Sequence, residues 1–164
     1  MARIVQSLTQ PTKDYDEQIQ QSLQAGSGTS TSALSFGGYD GTSPGNTADT
    51  ELWQGGVALG AWSTSNNINT ARKLLAGFGT QTSALGFGGT LAPPVSALVE
   101  SYNGTNWTEV NDLNQARYGL AGAGADNTSA LAFGGYTGTA RSADTELWNG
   151  TNSVSYTHLT LPTN

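Results

Sequence analysis

Small and apolar residues alternate in short bursts along most of the chain, and each burst closes on glycine, asparagine, serine or threonine. Residues 74–80 (LLAGFGT) and 83–89 (SALGFGG) alternate small with apolar side chains across an intervening turn. Residues 96–102 (SALVESY) and 106–110 (NWTEV) follow, joined through Asn103-Gly104. Period-two alternation in runs of this length predicts half-buried β-strands. Asn-Gly between two such runs predicts a hairpin with a type I′ turn, since that turn needs positive φ at both central positions. Asn149-Gly150 repeats the signal, and Gln54-Gly55-Gly56 stands at the corresponding place upstream. The first 26 residues read differently. Tyr15, Ile19 and Leu23 recur at i, i+4 and i+8, behind Thr12 or Asp14 as a cap and Glu17 at capping-box spacing, with Gly26 as the stop. That predicts a short helix of about three turns, marginal alone. It either docks on something else or serves as an assembly helix of an oligomer. Residues 26–32 (GSGTSTS) then read as a flexible linker.

The strand pattern recurs. Phe-Gly-Gly occurs at Phe36, Phe87 and Phe133, spaced 51 and 46 residues apart. An acidic-x-aromatic triplet follows each, at Glu51-Leu52-Trp53, Glu100-Ser101-Tyr102 and Glu146-Leu147-Trp148. A further aromatic follows the first two, at Trp62 and Trp107, and Arg72 and Arg117 sit 45 residues apart in similar surroundings. A fixed order at a period of about four dozen residues is the mark of a repeat architecture. The diglycines are expected where backbone approaches backbone, because no Cβ intervenes. Trp53, Trp62, Tyr102, Trp107 and Trp148 are expected to fill the space between neighbouring modules. The recurring Glu and Arg suggest carboxylate–guanidinium bridges between strands or modules, against the plainer reading of solvated surface charge.

Composition narrows the function classes. Charged residues are only 11% of the chain, too few for an acidic disordered tail, and glycine supplies 22 of 164 residues. The net charge of −6 comes without a basic cluster, so no nucleic-acid partner is expected. Cysteine is absent, which excludes disulfides, CxxC metal sites and thiol nucleophiles. No apolar run at the N-terminus suits a secretory signal, and none reaches the length of a membrane span.

Across residues 30–152, a hydrophobic run, Gly-Gly, a loop, Glu-x-Tyr/Trp, a short turn, Trp and then Ala-Arg resemble the kelch repeat, also found in the central domain of galactose oxidase-like proteins. The resemblance implies an all-β fold, an incomplete kelch-type β-propeller of about two to three four-stranded antiparallel blades with a short N-terminal helix. The turn between Tyr102 and Trp107 is shorter than is usual in kelch repeats. Blades left open should also make the chain weakly stable and prone to associate.

Enzyme chemistry is not expected, and neither is a metal or cofactor. The one histidine is His158, near the C-terminus, and without cysteine there is no Cys-His set and no Tyr–Cys crosslinked copper site. The acid pairs Asp49/Glu51 and Asp144/Glu146 have glycosidase composition, but they recur because the repeat recurs, so a structural duty is favoured. Glycosylation-type triplets at Asn103, Asn106, Asn127 and Asn149 coincide with expected turns. What remains is recognition by the variable loops after each diglycine. Tyr39, Asp40, Tyr136 and Arg141 are the residues there best able to hold a carbohydrate or peptide by stacking and hydrogen bonding.

The last residues break the pattern. Residues 154–163 (VSYTHLTLPT) resemble the translation of a sequencing adaptor, so residues 154–164 are set aside as an artefact of a metagenomic fragment. The expected organisation is therefore residues 1–29 as an N-terminal segment with helix and linker, 30–153 as repeats, and 154–164 as the foreign tail. The function expected is a non-catalytic binding or structural module, in a phage virion or tail-fibre-like protein, virion-borne or extracellular without a signal peptide. Its partners would be a carbohydrate or protein ligand and further copies of itself through the N-terminal helix. The alternatives are a domain of a carbohydrate-active, galactose oxidase-like enzyme whose catalytic residues lie elsewhere, and a cytoplasmic scaffold.

Overall fold

A computed structural model describes residues 24–41, 45–55, 60–91 and 93–156. Within them the chain is all β: three antiparallel four-stranded sheets, one per repeat, and no helix. The first sheet contains β1 (Ala25–Gly28), β2 (Ser32–Phe36), β3 (Thr50–Gln54) and β4 (Ala61–Thr64). The second contains β5 (Ala76–Thr80), β6 (Ser83–Phe87), β7 (Val99–Tyr102) and β8 (Trp107–Val110). The third contains β9 (Ala121–Asp126), β10 (Ser129–Phe133), β11 (Thr145–Trp148) and β12 (Ser153–Tyr156). Strands pair in chain order within each sheet, so every sheet is a simple meander. The helix expected around residues 12–26 lies outside the described residues, except for its last few, and those depart from it. Ala25–Gly28, expected as a helix stop and linker, form β1 and pair with Ala33–Phe36. Small residues suit that place, because the first strands of successive sheets contact one another, β1 with β5 and β5 with β9.

Register sorts each sheet into two faces. In the second sheet, Phe78 opposes Leu85 and Phe87 opposes Val99 on one face, while Ala84 opposes Tyr102 and Tyr102 opposes Trp107 on the other. The same alternation in all three sheets produces two cores, each between consecutive sheets. Leu34 and Phe36 of the first sheet pack with Ala84, Tyr102 and Trp107 of the second. Leu85, Phe87 and Val99 of the second pack with Ala130, Ala132 and Trp148 of the third. The Phe36 ring centroid lies 4.6 Å from that of Trp107, which lies 4.9 Å from Tyr102. Gly77 is glycine because a Cβ there would strike the Phe36 ring, and Gly122 stands in the same relation to Phe87. The first indole also donates from Nε1 to Thr50 Oγ1 at 3.1 Å, so its polar edge is satisfied inside the core.

The aromatic set thus divides. Tyr102, Trp107 and Trp148 are buried between sheets as expected. Trp53 and Trp62 form their own pair at 5.5 Å, and Trp62 is 51% exposed. They lie on the first sheet's face directed away from the second, where no described sheet covers them. At the other end, Leu131 and Phe133 are each 39% exposed on the outer face of the third sheet.

One further expectation is corrected. The Asn103-Gly104 hairpin is not a two-residue turn. Tyr102 pairs with Trp107, leaving four residues between, and only Gly104 has positive φ. Asn103 acts through its side chain: Oδ1 accepts from Thr105 N at 3.0 Å and Asn106 N at 2.9 Å. Asn149 makes the same pair of bonds with Thr151 N and Asn152 N. The side chain caps the turn, so a left-handed asparagine is not needed.

Residues 154–156, set aside on the sequence, pair with β11 and supply the fourth strand of the third sheet. Ladder pairing uses backbone groups that every non-proline residue carries, and Val-Ser-Tyr alternates well enough to join. The side chains match less well. Ser153 opposes Trp148 where Trp107 opposes Tyr102. A shallow cleft, part of it open to solvent, remains there. Leu85, Phe87, Leu113 and Trp148 line it, in the places that Leu34, Phe36, Ile68 and Tyr102 hold in the core around Trp107.

Candidate functional site

The loops that join the second and third strands all leave from the same end of their sheets. The second and third of these loops are each held at the base by a buried arginine. Arg72 donates from Nη1 to the carbonyls of Gly88 and Leu98, both at 2.8 Å, and from Nη2 to Glu100 Oε1 at 2.9 Å. Arg117 repeats the arrangement with Gly134, Asp144 and Glu146, the last at 2.7 Å. All four charged side chains are 0–1% exposed, so Glu100 with Arg72 and Glu146 with Arg117 are buried bridges and not surface charge. The second oxygen of each glutamate accepts a backbone N–H, from Asn69 at 2.6 Å and Asn114 at 2.7 Å. Burial draws the Arg72 guanidinium below its ordinary value, and the facing Glu100 opposes that shift.

The same arginines join one sheet to the next. Gly38 N donates to Arg72 O and Gly89 N to Arg117 O, both at 2.8 Å. This is the backbone contact that the diglycines permit. At Gly88, with φ +64°, a Cβ would sit 2.5 Å from Arg117 O. Glu146, one of the acids in the paired-carboxylate pattern, is therefore spent on Arg117. Asp144 accepts from Ser142 Oγ at 3.0 Å, and Asp49 from Thr47 Oγ1 at 2.7 Å, so both acids cap their own loops. Among the described residues no three His, Cys, Asp or Glu side chains gather into one cluster.

Above these clasps the loops form a continuous rim. Each diglycine is followed by a short bridge: Tyr39 with Asn46, Thr90 with Val95, Tyr136 with Arg141. Asn46 Nδ2 reaches across to Thr90 O at 3.0 Å, tying the first loop to the second. A Cβ on Gly138 would lie 3.0 Å from Val95 Cγ2, so the second and third loops also touch. The expected site residues fall on this rim in two groups. Tyr39 and Asp40 belong to the first loop, and Tyr136 and Arg141 to the third, with the second loop between them.

The structure adds two residues to them. Lys73 Nζ lies 4.2 Å from the centroid of the Tyr39 ring, a cation–π contact, while its backbone bridges Thr90. Tyr118 occupies the equivalent place one repeat later. Its backbone bridges Tyr136 and its ring meets the Tyr136 ring edge-on at 5.4 Å. Both follow a clasp arginine directly, at Arg72-Lys73 and Arg117-Tyr118. That adjacency was visible in the sequence, but its register with the residue after the diglycine was not. The rim thus carries half-buried tyrosines beside a lysine and an exposed arginine. Such a surface suits stacking and hydrogen bonding to a polar ligand. No helix among the described residues is long and apolar enough to cross a membrane. No protein family profile matches the chain, and no curated protein matches it.

Proposed function

We propose that the three sheets are consecutive blades of a kelch-type β-propeller, and that the chain is a non-catalytic binding module of a phage virion or tail-fibre-like protein. Three features support the propeller. The repeats form equal four-stranded meanders, their first strands lie in contact, and one apolar face of each of the first two sheets is covered by the next sheet. Rings of this type have about 4–8 blades, so three make part of one. The Gly-, Ser-, Thr- and Asn-rich repeats favour the virion setting. The loop rim carries the binding role. Tyr39 with Lys73, and Tyr136 with Tyr118 and Arg141, offer ring faces flanked by donors. The ligand class proposed is carbohydrate, with a protein surface as the second choice.

Saturation-transfer NMR against a panel of mono- and oligosaccharides tests the binding role. At least one sugar should receive saturation from the protein, and Tyr136→Ala and Tyr39→Ala should each weaken that signal. A panel with no response removes the carbohydrate reading. Immunoelectron microscopy of phage particles made from the gene tests the virion setting, which falls if the protein is found only free in the lysate.

A further inference from the structure

The row of described sheets has an outer face at either side, the two unlike one another, and each is one half of a junction that the chain already makes twice. At the first junction, the face with Leu34 and Phe36 receives the face with Gly77, Tyr102 and Trp107. At the second, the face with Leu85 and Phe87 receives Gly122, Ala130, Ala132 and Trp148. The outer face of the third sheet carries Leu131 and Phe133, paired in register with Leu147 and Thr145. These stand where Leu34 and Phe36 face Leu52 and Thr50 in the first sheet. The outer face of the first sheet carries Gly26 on β1, at the place of Gly77, and the Trp53–Trp62 pair, at the place of Tyr102 and Trp107.

We infer that these two faces bind one another between copies of the chain, head to tail, with Phe133 of one copy seated against Gly26 and Trp62 of the next. The occupant is a second copy because the chain presents both halves of the contact, and because the faces continue a series whose two inner members are already formed. Covering Phe133, Leu131 and Trp62 removes from water the large exposed apolar side chains of the described residues other than Val154. The contact is heterologous: it joins two different surfaces and leaves one of each free for a further copy, unless the ring closes. It is made by sheet faces and is separate from the N-terminal residues expected to assemble as a helix. It holds whatever the loop rim binds.

Sedimentation velocity on the full chain tests it. The wild type should self-associate with concentration. Phe133→Glu and Trp62→Glu should each weaken association at least tenfold. An equimolar mixture of the two variants should regain a 1:1 complex, since one keeps the intact Trp62 face and the other the intact Phe133 face. Circular dichroism checks that each variant stays folded, and the milder Phe133→Ser and Trp62→Ser should show the same order of effects. A wild type that stays monomeric overturns the inference. So does a Trp62→Glu variant that still associates as the wild type does, which would mean pairing through the Phe133 face alone, or a mixture that fails to complex.

Discussion

At the scale of single residues, the clasp is where charge and backbone meet. Arg72 spends all its donor nitrogens on Thr70, Gly88, Leu98 and Glu100, with no exposed surface left. Removing one partner of a buried pair strands the other, at a cost of about 3–5 kcal/mol. Glu100→Gln should therefore lower the unfolding free energy, read from a urea melt, by that amount. The double variant Arg72→Met/Glu100→Leu should lose markedly less, because neither charge is left unmatched; a loss as large as the single variant's would refute the account. Recurrence in the sequence marked both members of this pair, but it did not show that the arginine also binds two carbonyls. Those partners, Gly88 O and Leu98 O, become neighbours only when β6 and β7 pair. The loop site was legible to the same degree. Tyr39, Asp40, Tyr136 and Arg141 stood out as variable loop residues, while Lys73 and Tyr118 join them through bridges that pattern reading does not reveal.

At the scale of elements, strand number and order were readable because alternation and turn residues agree at each hairpin. Strand edges were less readable. β1 was missed because Ala-Gly-Ser-Gly has the composition of a linker, and it forms a strand because β2 pairs with it on one side and β5 packs against it. Tertiary contact overrides a weak local preference. The fourth strand of the last sheet was missed for the opposite reason, since its residues match nothing upstream. Turn type also needed the coordinates. Asn103 stabilises its hairpin by accepting two backbone N–H groups, so Asn103→Ala should cost about 1–3 kcal/mol, each bond being worth about 0.5–1.5 kcal/mol net. Asn103→Asp, which keeps the acceptor, should retain most of that. A thermal melt of the two variants separates them, and equal losses would show that Oδ1 is not the group that matters.

At the scale of the whole molecule, stability is shared between neighbours only. Each core joins one sheet to the next, as in other repeat proteins, so damage at one junction weakens two sheets and spares the third. The two junctions are not equal. The first is closed by an indole, Trp107; the second has a serine hydroxyl bonded to Glu146 Oε2 at 2.7 Å beside a shallow cleft open to solvent. The protein therefore carries its own template for a repair. Ser153→Trp should slot a ring between Phe87 and Trp148 and raise the unfolding free energy by about 1–3 kcal/mol, the gain from apolar burial less the lost hydroxyl bond. Its emission should shift to the blue as that ring leaves water. Until then, the last sheet is the loose plank of the row: its amides should exchange with deuterium sooner than those of its neighbours, and the gap should narrow once the tryptophan is in place.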